Sequence, residues 1–223
     1  IKNQKEDKYA LLICGSNERR FIYDLSAIYQ VLLRRGFPDK NIIILDKEGT
    51  EEFLYHSDGI ATEDNVKNVF QHLSEKVDSL DTLVVHIDDH GSFQNYPTRF
   101  GVYELHYVTL AKGNITKNEL GLYLSRIKPK IGIVTVDTCY AEGMLGELPE
   151  EYIGIAGTKE DRIGLSSERD SFGGYFYISW CEKENITIRE AFEKAKKRHT
   201  YSAEGRVEPV IKCKEGLEDT KVP

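Results

Sequence analysis

The stretch TLVVHIDDHGS, residues 82–92, and the stretch KIGIVTVDTCYAEG, residues 130–143, have one grammar. Each is a β-branched apolar run that breaks into small, acidic and potentially reactive side chains. Thr116-Lys-Asn-Glu119 between them is a capping box, and it opens a helix that ends before Pro129. Strand, helix, strand is the unit of a parallel sheet. Near-continuous apolar strands suit a sheet covered on both faces. Outward from this pair the pattern repeats. YALLIC (9–14), NIIIL (41–45), 152–156 and 208–213 read as further strands, six in all. Helical spacing recurs over 24–35, 62–77, 172–182 and 187–199. The segment 101–110 reads as a β-arm or hairpin. The expected fold class is α/β, a three-layer sandwich with a mostly parallel six-stranded sheet and helices on both faces. Residues 1–214 are expected to form one domain, and the polar tail 215–223 to fray.

Composition narrows the function. The 223 residues carry 30 Lys and Arg against 37 Asp and Glu, a net charge of −7. That balance argues against a nucleic-acid partner, which would be met by a basic face. The longest apolar runs, at 9–14 and 131–136, are too short for a membrane span. Cys14, Cys139, Cys181 and Cys213 are too scattered for a disulfide framework and contain no CxxC pair for zinc. The opening IKNQKEDKYA lacks an initiator Met and the apolar run of a secretory signal, so a processed or trimmed chain is expected. Two sequons, at Asn114 and Asn185, are no more than chance supplies.

Ligands of open parallel sheets bind beyond the carboxyl ends of the strands. His90-Gly91 follows one strand and Cys139 another, the placement a thiol nucleophile and its base require. A thiol must ionise to attack a carbonyl, and an imidazole assists this or protonates the leaving amine. Glycine after the histidine lets a backbone N–H face the carbonyl oxygen, and the nucleophile's own N–H supplies a second donor. Cys14 also ends a strand, but no His-Gly adjoins it. His86 lies mid-strand and reads as packing, and Cys181 on an aromatic-rich helix reads as core. His56, His72, His106 and His199 carry no supporting pattern. Gly15-Ser-Asn17 lacks the glycines and lysine of a phosphate loop. Asp88, Asp89 and Asp137 could hold Mg²⁺, but nothing else supports a metal, so no metal and no cofactor is expected.

These residues resemble the caspase-like cysteine peptidases, most closely the legumain and glycosylphosphatidylinositol-transamidase branch. The resemblance spans 9–180. The run 9–17 with Arg35-Gly-Phe-Pro-Asp39 and Ile42-Ile-Ile-Leu45 is similar to legumain's opening strand, helix and second strand. Asp89-His-Gly-Ser92 matches that family's histidine motif, and Val136-Asp-Thr-Cys139 resembles the transamidase's cysteine motif. The interval of 49 residues from His90 to Cys139 is close to that of caspases. The resemblance implies a caspase-like fold and an endopeptidase acting on peptide or protein through a thioester. Cys139 would be the nucleophile, His90 the acid and base, and Gly91 and Cys139 the oxyanion donors. No third member is implied, although Asn17 and Glu18 lie where a helper would fall.

The resemblance also aligns Arg20 and Asp137 with the residues of a charged specificity pocket. Both signs together suit Asn, Asp137 alone suits Arg or Lys, and a dominant Arg20 suits Asp. Gly173-Gly174 stands where legumain has an acidic residue. Ser166, Ser167, Glu168 and Asp170 fall in the loop that could form the opposite wall. Self-processing is implied at 46–59 or 157–171. An amine in place of water would make the same site a transamidase or ligase, and a silent site would leave a binding module. The few cysteines fit a reducing cytoplasm, whereas legumain-like relatives are often lysosomal or secreted.

Overall fold

The β-branched runs pair side by side in a computed structural model that describes residues 6–48 and 55–223. In chain order the first elements are β1 (Lys8–Ile13), α1 (Arg19–Arg34), β2 (Ile42–Asp46), β3 (Gly59–Ile60), α2 (Glu63–Lys76) and β4 (Thr82–Asp88). Next come β5 (Gly91–Thr98), β6 (Gly101–Thr109), β7 (Asn114–Thr116), α3 (Lys117–Ser125), β8 (Ile131–Asp137) and α4 (Ala141–Met144). The last are β9 (Tyr152–Ala156), α5 (Phe172–Trp180), α6 (Ile188–Arg198), α7 (Thr200–Ala203) and β10 (Val210–Lys212).

The central sheet runs β10-β9-β8-β4-β1-β2-β3. Only β10 is antiparallel to its neighbour. The sheet therefore has seven strands where six were expected. The extra one, β3, is two residues long and pairs with Leu45 and Asp46; a run that short carries no periodicity to read.

The pleat sends alternate side chains to opposite layers. Ala10, Leu12 and Val84 join α1, α5 and α6 in one core. Leu11, Ile13, Leu83, Val85 and Ile87 join α2, α3 and α4 in the other. The protein is thus an α/β three-layer sandwich. β4, enclosed between β1 and β8, is buried at every residue.

Helix α1 begins five residues before its expected start, because Phe21 and Ile22 extend the apolar face of Leu25, Ile28, Tyr29 and Leu32. The capping boxes at Thr116 and Thr187 form as read. Each is also the threonine of a sequon, so both sequons have a structural reason to exist.

Two expectations fail. The tail does not fray: Val222 is buried, its N–H donates to the Ile186 carbonyl, and Arg35 donates to the carbonyls of Val222 and Pro223. Cys181 is not core. It caps the carboxyl end of α5 and is exposed, since α5 turns its last apolar residue, Trp180, inward. Residues 49–54 of the candidate processing loop 46–59 lie outside the described residues.

The arm is longer than expected. It begins at Gly91, immediately after His90, and forms a separate sheet β5-β6-β7. A two-residue turn, Arg99-Phe100, joins β5 to β6. Phe100 at the tip is 87% exposed.

Candidate active site

Strands β1, β4 and β8 are neighbours, and their carboxyl ends deliver Cys14, Asp88-Asp89-His90 and Asp137-Thr-Cys139 to one edge. Asp88 and Asp137 stand in register across β4 and β8. A narrow cleft at that edge is lined by Arg20, Asp89, His90, Asp137, Cys139 and Ser166, among others. It gathers all the expected site residues except Gly91, which adjoins it.

Cys139 is held at a sharp exit from β8. Tyr140 adopts φ 57, an uncommon backbone for a side chain of that size, and donates its N–H to the Arg162 carbonyl. The Cys139 thiol lies 3.8 Å from the Gly164 carbonyl oxygen. Gly91 packs so closely on this turn that a Cβ would strike the Cys139 carbonyl oxygen and come within 2.7 Å of the Thr138 hydroxyl. Only glycine fits there.

The N–H of Gly91 points away from β6. The Thr109 N–H donates to the His90 carbonyl, which makes residues 90 and 109 a hydrogen-bonded pair. The intervening residue 91 then turns its own N–H and carbonyl outward. The Cys139 N–H makes no hydrogen bond to a described residue. Neither donor is spent on a described residue, and the two residues meet at this turn.

His90 is aimed by a residue that sequence reasoning left open. Its Nε2 lies 2.5 Å from Glu18 Oε1, and the ring packs edge-on against Phe21 at 5.5 Å. Glu18 also accepts from Arg20 Nε at 2.9 Å. Hydrogen bonding to His90 and the charge of Arg20 hold the Glu18 carboxyl below its ordinary range, against a partial burial that opposes them. Asn17, the other candidate, is exposed.

Arg20 lines the cleft, whereas the neighbouring Arg19 is exposed. Beyond Glu18 it reaches Ser166 Oγ at 3.3 Å and lies over the Phe21 ring. Ser166 is thereby placed on the opposite wall, and Asp170 is placed away from it, accepting from the Thr200 N–H. His199, read as unremarkable, supports that wall: its Nε2 meets the Leu165 carbonyl at 3.0 Å.

Asp137 is pinned by the Gly173 N–H at 2.7 Å, and neither Gly157 nor Gly173 could carry a side chain without crowding its carboxylate. Below it lie two more buried acids. Burial raises the Asp24 carboxyl to about 7, with the Asp137 charge adding to the rise and the Ser171 hydroxyl opposing it. Burial and the charges of Asp24 and Asp137 raise Asp88 as well, and Asp88 Oδ2 has no partner among the described residues. Asp137 is likewise raised by burial.

The remaining candidates fall away. Cys14 is fully buried, and burial followed by the charges of Asp89 and Asp88 pushes its thiol well up. His86 is sealed in the sheet with Nδ1 on Thr135 at 2.8 Å, and burial lowers it to about 3. Among the described residues no group of His, Cys, Asp and Glu is arranged to hold a metal ion, and no helix is long and apolar enough to cross a membrane.

No family model matches the chain, and no curated protein does. The solved structures it resembles include protein GSU0716 of Geobacter sulfurreducens, at 12% identity and a TM-score of 0.70, over 96% of this chain and 97% of that one. At that identity the likeness speaks for the fold alone, an α/β sandwich shared across nearly the full length of both chains.

Proposed function

We propose that this protein is a caspase-like cysteine endopeptidase with Cys139 and His90 as its catalytic dyad. One observation carries the reading: a thiol, an imidazole and two free backbone N–H groups converge on one cleft at the carboxyl edge of the sheet. With Nε2 engaged by Glu18, Nδ1 is the His90 atom left to exchange a proton with the thiol. The Cys139 sulfur attacks the peptide carbonyl, and the oxyanion accepts from the N–H groups of Gly91 and Cys139. Collapse breaks the C–N bond as His90 gives its proton to the departing amine. His90 then takes a proton from water, and the hydroxide hydrolyses the thioester. Glu18 orients the ring and stabilises the imidazolium, without touching the substrate.

The charge around the pocket favours Arg or Lys before the cleaved bond. Asp137 faces the cleft, Asp24 and Asp88 lie beneath it, and the one guanidinium present is engaged by Glu18. A basic side chain entering there draws these raised acids toward their charged form and pairs with Asp137, whereas an acidic one is left without that partner. Asn is the runner-up, with Ser166 and Arg20 available for its amide.

A positional peptide library read with wild type and Cys139→Ala tests the reading. Cleavage after Arg or Lys that vanishes in the variant supports it. Hydrolysis that survives in Cys139→Ala and is lost on chelation would replace it with a metal-dependent mechanism. An amide product in the presence of a free amine would make the site a transamidase.

A further inference from the structure

Strand β5 is an edge strand whose outer side is paired with nothing among the described residues. The register fixes what that side presents. Residues 92, 94, 96 and 98 spend their backbone groups on β6, so Gly91, Phe93, Asn95 and Pro97 turn theirs outward. Exposed edges are ordinarily blunted by proline, charge or bulges. Here Pro97 blunts only the far half. The near half, Gly91 to Asn95, is left open, and the register turns the N–H groups of Phe93 and Asn95 to the side of β5 that no described strand pairs with. Its first member is Gly91, the oxyanion donor of the proposed mechanism. The open row therefore starts at the reacting carbonyl and leads away from it.

Its direction identifies the occupant. The pocket walls, Arg20, Phe21 and Ser166, stand on the α1 and α5 side of Cys139. The arm stands on the other side: Phe93 packs on Tyr140, His106 crowds Gly143 of α4, and Val108 belongs to the α2, α3 and α4 core. A chain whose basic residue fills the pocket leaves the site along the arm.

We propose that the free edge of β5 binds the polypeptide that follows the cleaved bond, as an added parallel strand. The proposal rests on the peptidase reading. In a parallel ladder each residue donates to one carbonyl and accepts from the N–H two residues further on. Gly91 then donates to the carbonyl being attacked and accepts from the N–H of the second residue after the bond. Phe93 donates to the carbonyl of that second residue and accepts from the fourth. Asn95 donates to the carbonyl of the fourth. The occupant is an extended, unfolded segment of at least four residues with no proline at its second or fourth position. Side chains contribute little to this selection, since backbone groups make the bonds.

The test uses peptides with Arg, Asn or Asp before the bond and one, two, four or six residues after it. The expected result is a rise in kcat/KM of roughly tenfold from one residue to four, the size of one or two added hydrogen bonds. N-methylation at the second or fourth position should erase the rise, and at the third should not. Asn95→Pro, which removes an N–H that β6 does not use and so the bond to the carbonyl of the fourth residue, should lower kcat/KM for the four- and six-residue substrates toward that of the two-residue one. Equal rates at all lengths, or equal sensitivity at the second and third positions, would overturn the proposal. Amide exchange at Phe93 and Asn95 in Cys139→Ala, with and without the six-residue peptides, separates the two readings. Protection without any cleavage by wild type would sink the peptidase reading alone. Cleavage without protection would sink the strand addition alone, and neither would sink both. Dimerisation that Asn95→Pro abolishes, with no protection by peptide, would assign the edge to a second copy of the chain and overturn the proposal.

Discussion

Cys14 and Cys139 end strands on either side of β4, and in the sequence only the resemblance of Val136-Asp-Thr-Cys139 to a cysteine motif and the absence of a His-Gly beside Cys14 rank one thiol above the other. The structure separates them by what covers them. Gly15 lies so close under the backbone of Leu110 and Ala111 that a Cβ there would come within 2.5 Å of the Ala111 nitrogen, and the Cys14 thiol is sealed with its hydrogen on the Ser16 carbonyl. Cys139 instead opens onto the cleft beside Arg20 and His90. The same division falls within β4 and its exit: His86 is locked to Thr135 inside the sheet, and His90, four residues on, stands at the edge against Glu18. A strand end becomes a site where the chain leaves the sheet without being roofed over.

The largest effect expected breaks this comparison most directly. Cys139→Ala should lower peptide hydrolysis by about 10⁴-fold or more, and Cys14→Ala should change kcat/KM less than about threefold. A reversal of the two would move the nucleophile. Gly91→Ala should cost about 10²–10³-fold in kcat, because the added methyl strikes the Cys139 carbonyl and shifts an oxyanion donor. Circular dichroism at unchanged melting temperature would show that the loss is local. Glu18→Gln should cost on the order of tenfold, since a charge-assisted bond to His90 becomes a neutral one. Glu18→Ala with no change in rate would remove it from the mechanism.

A smaller effect sharpens the comparison of buried and open acids. The folded-state pKa of Asp24 is raised to about 7 from an ordinary 3.8. Its contribution to stability is therefore full below about pH 4 and is lost as pH rises through 7. His86, lowered to about 3 from 6.5, has the opposite sign: its contribution is full above 6.5 and is lost as pH falls toward 3. The difference between wild type and Asp24→Asn isolates the first. The variant should gain stability relative to wild type between pH 5 and pH 7.5, on the order of 2 kcal/mol in urea titrations. A constant difference across that range would mean that Asp24 is ionised in the fold throughout.

The sheet was legible because its strands are β-branched runs with acidic or small breaks, and position 90 and position 139 follow from that spacing. Glu18 was legible only as one of two helpers beside Asn17: the choice between them depends on the angle at which α1 leaves the β1 loop, which placed Arg20 and Asp24 on the first turns of a helix expected to begin later. Ser166 and His199 reach the cleft through contacts with Arg20 and Leu165, and no local pattern encodes those pairings. The strand β3 was too short to carry a period. The tail reads as polar, yet one buried valine and the Arg35 guanidinium suffice to dock it.

The most direct test of the dyad is intact-mass analysis after incubation with a peptidyl acyloxymethyl ketone that ends in arginine, followed by mapping of the adduct. The account predicts a single adduct on Cys139, formed by wild type, slowed by Asp137→Asn and absent in His90→Ala. An adduct on Cys14, Cys181 or Cys213, or labelling of Cys139 that is indifferent to His90, would contradict it.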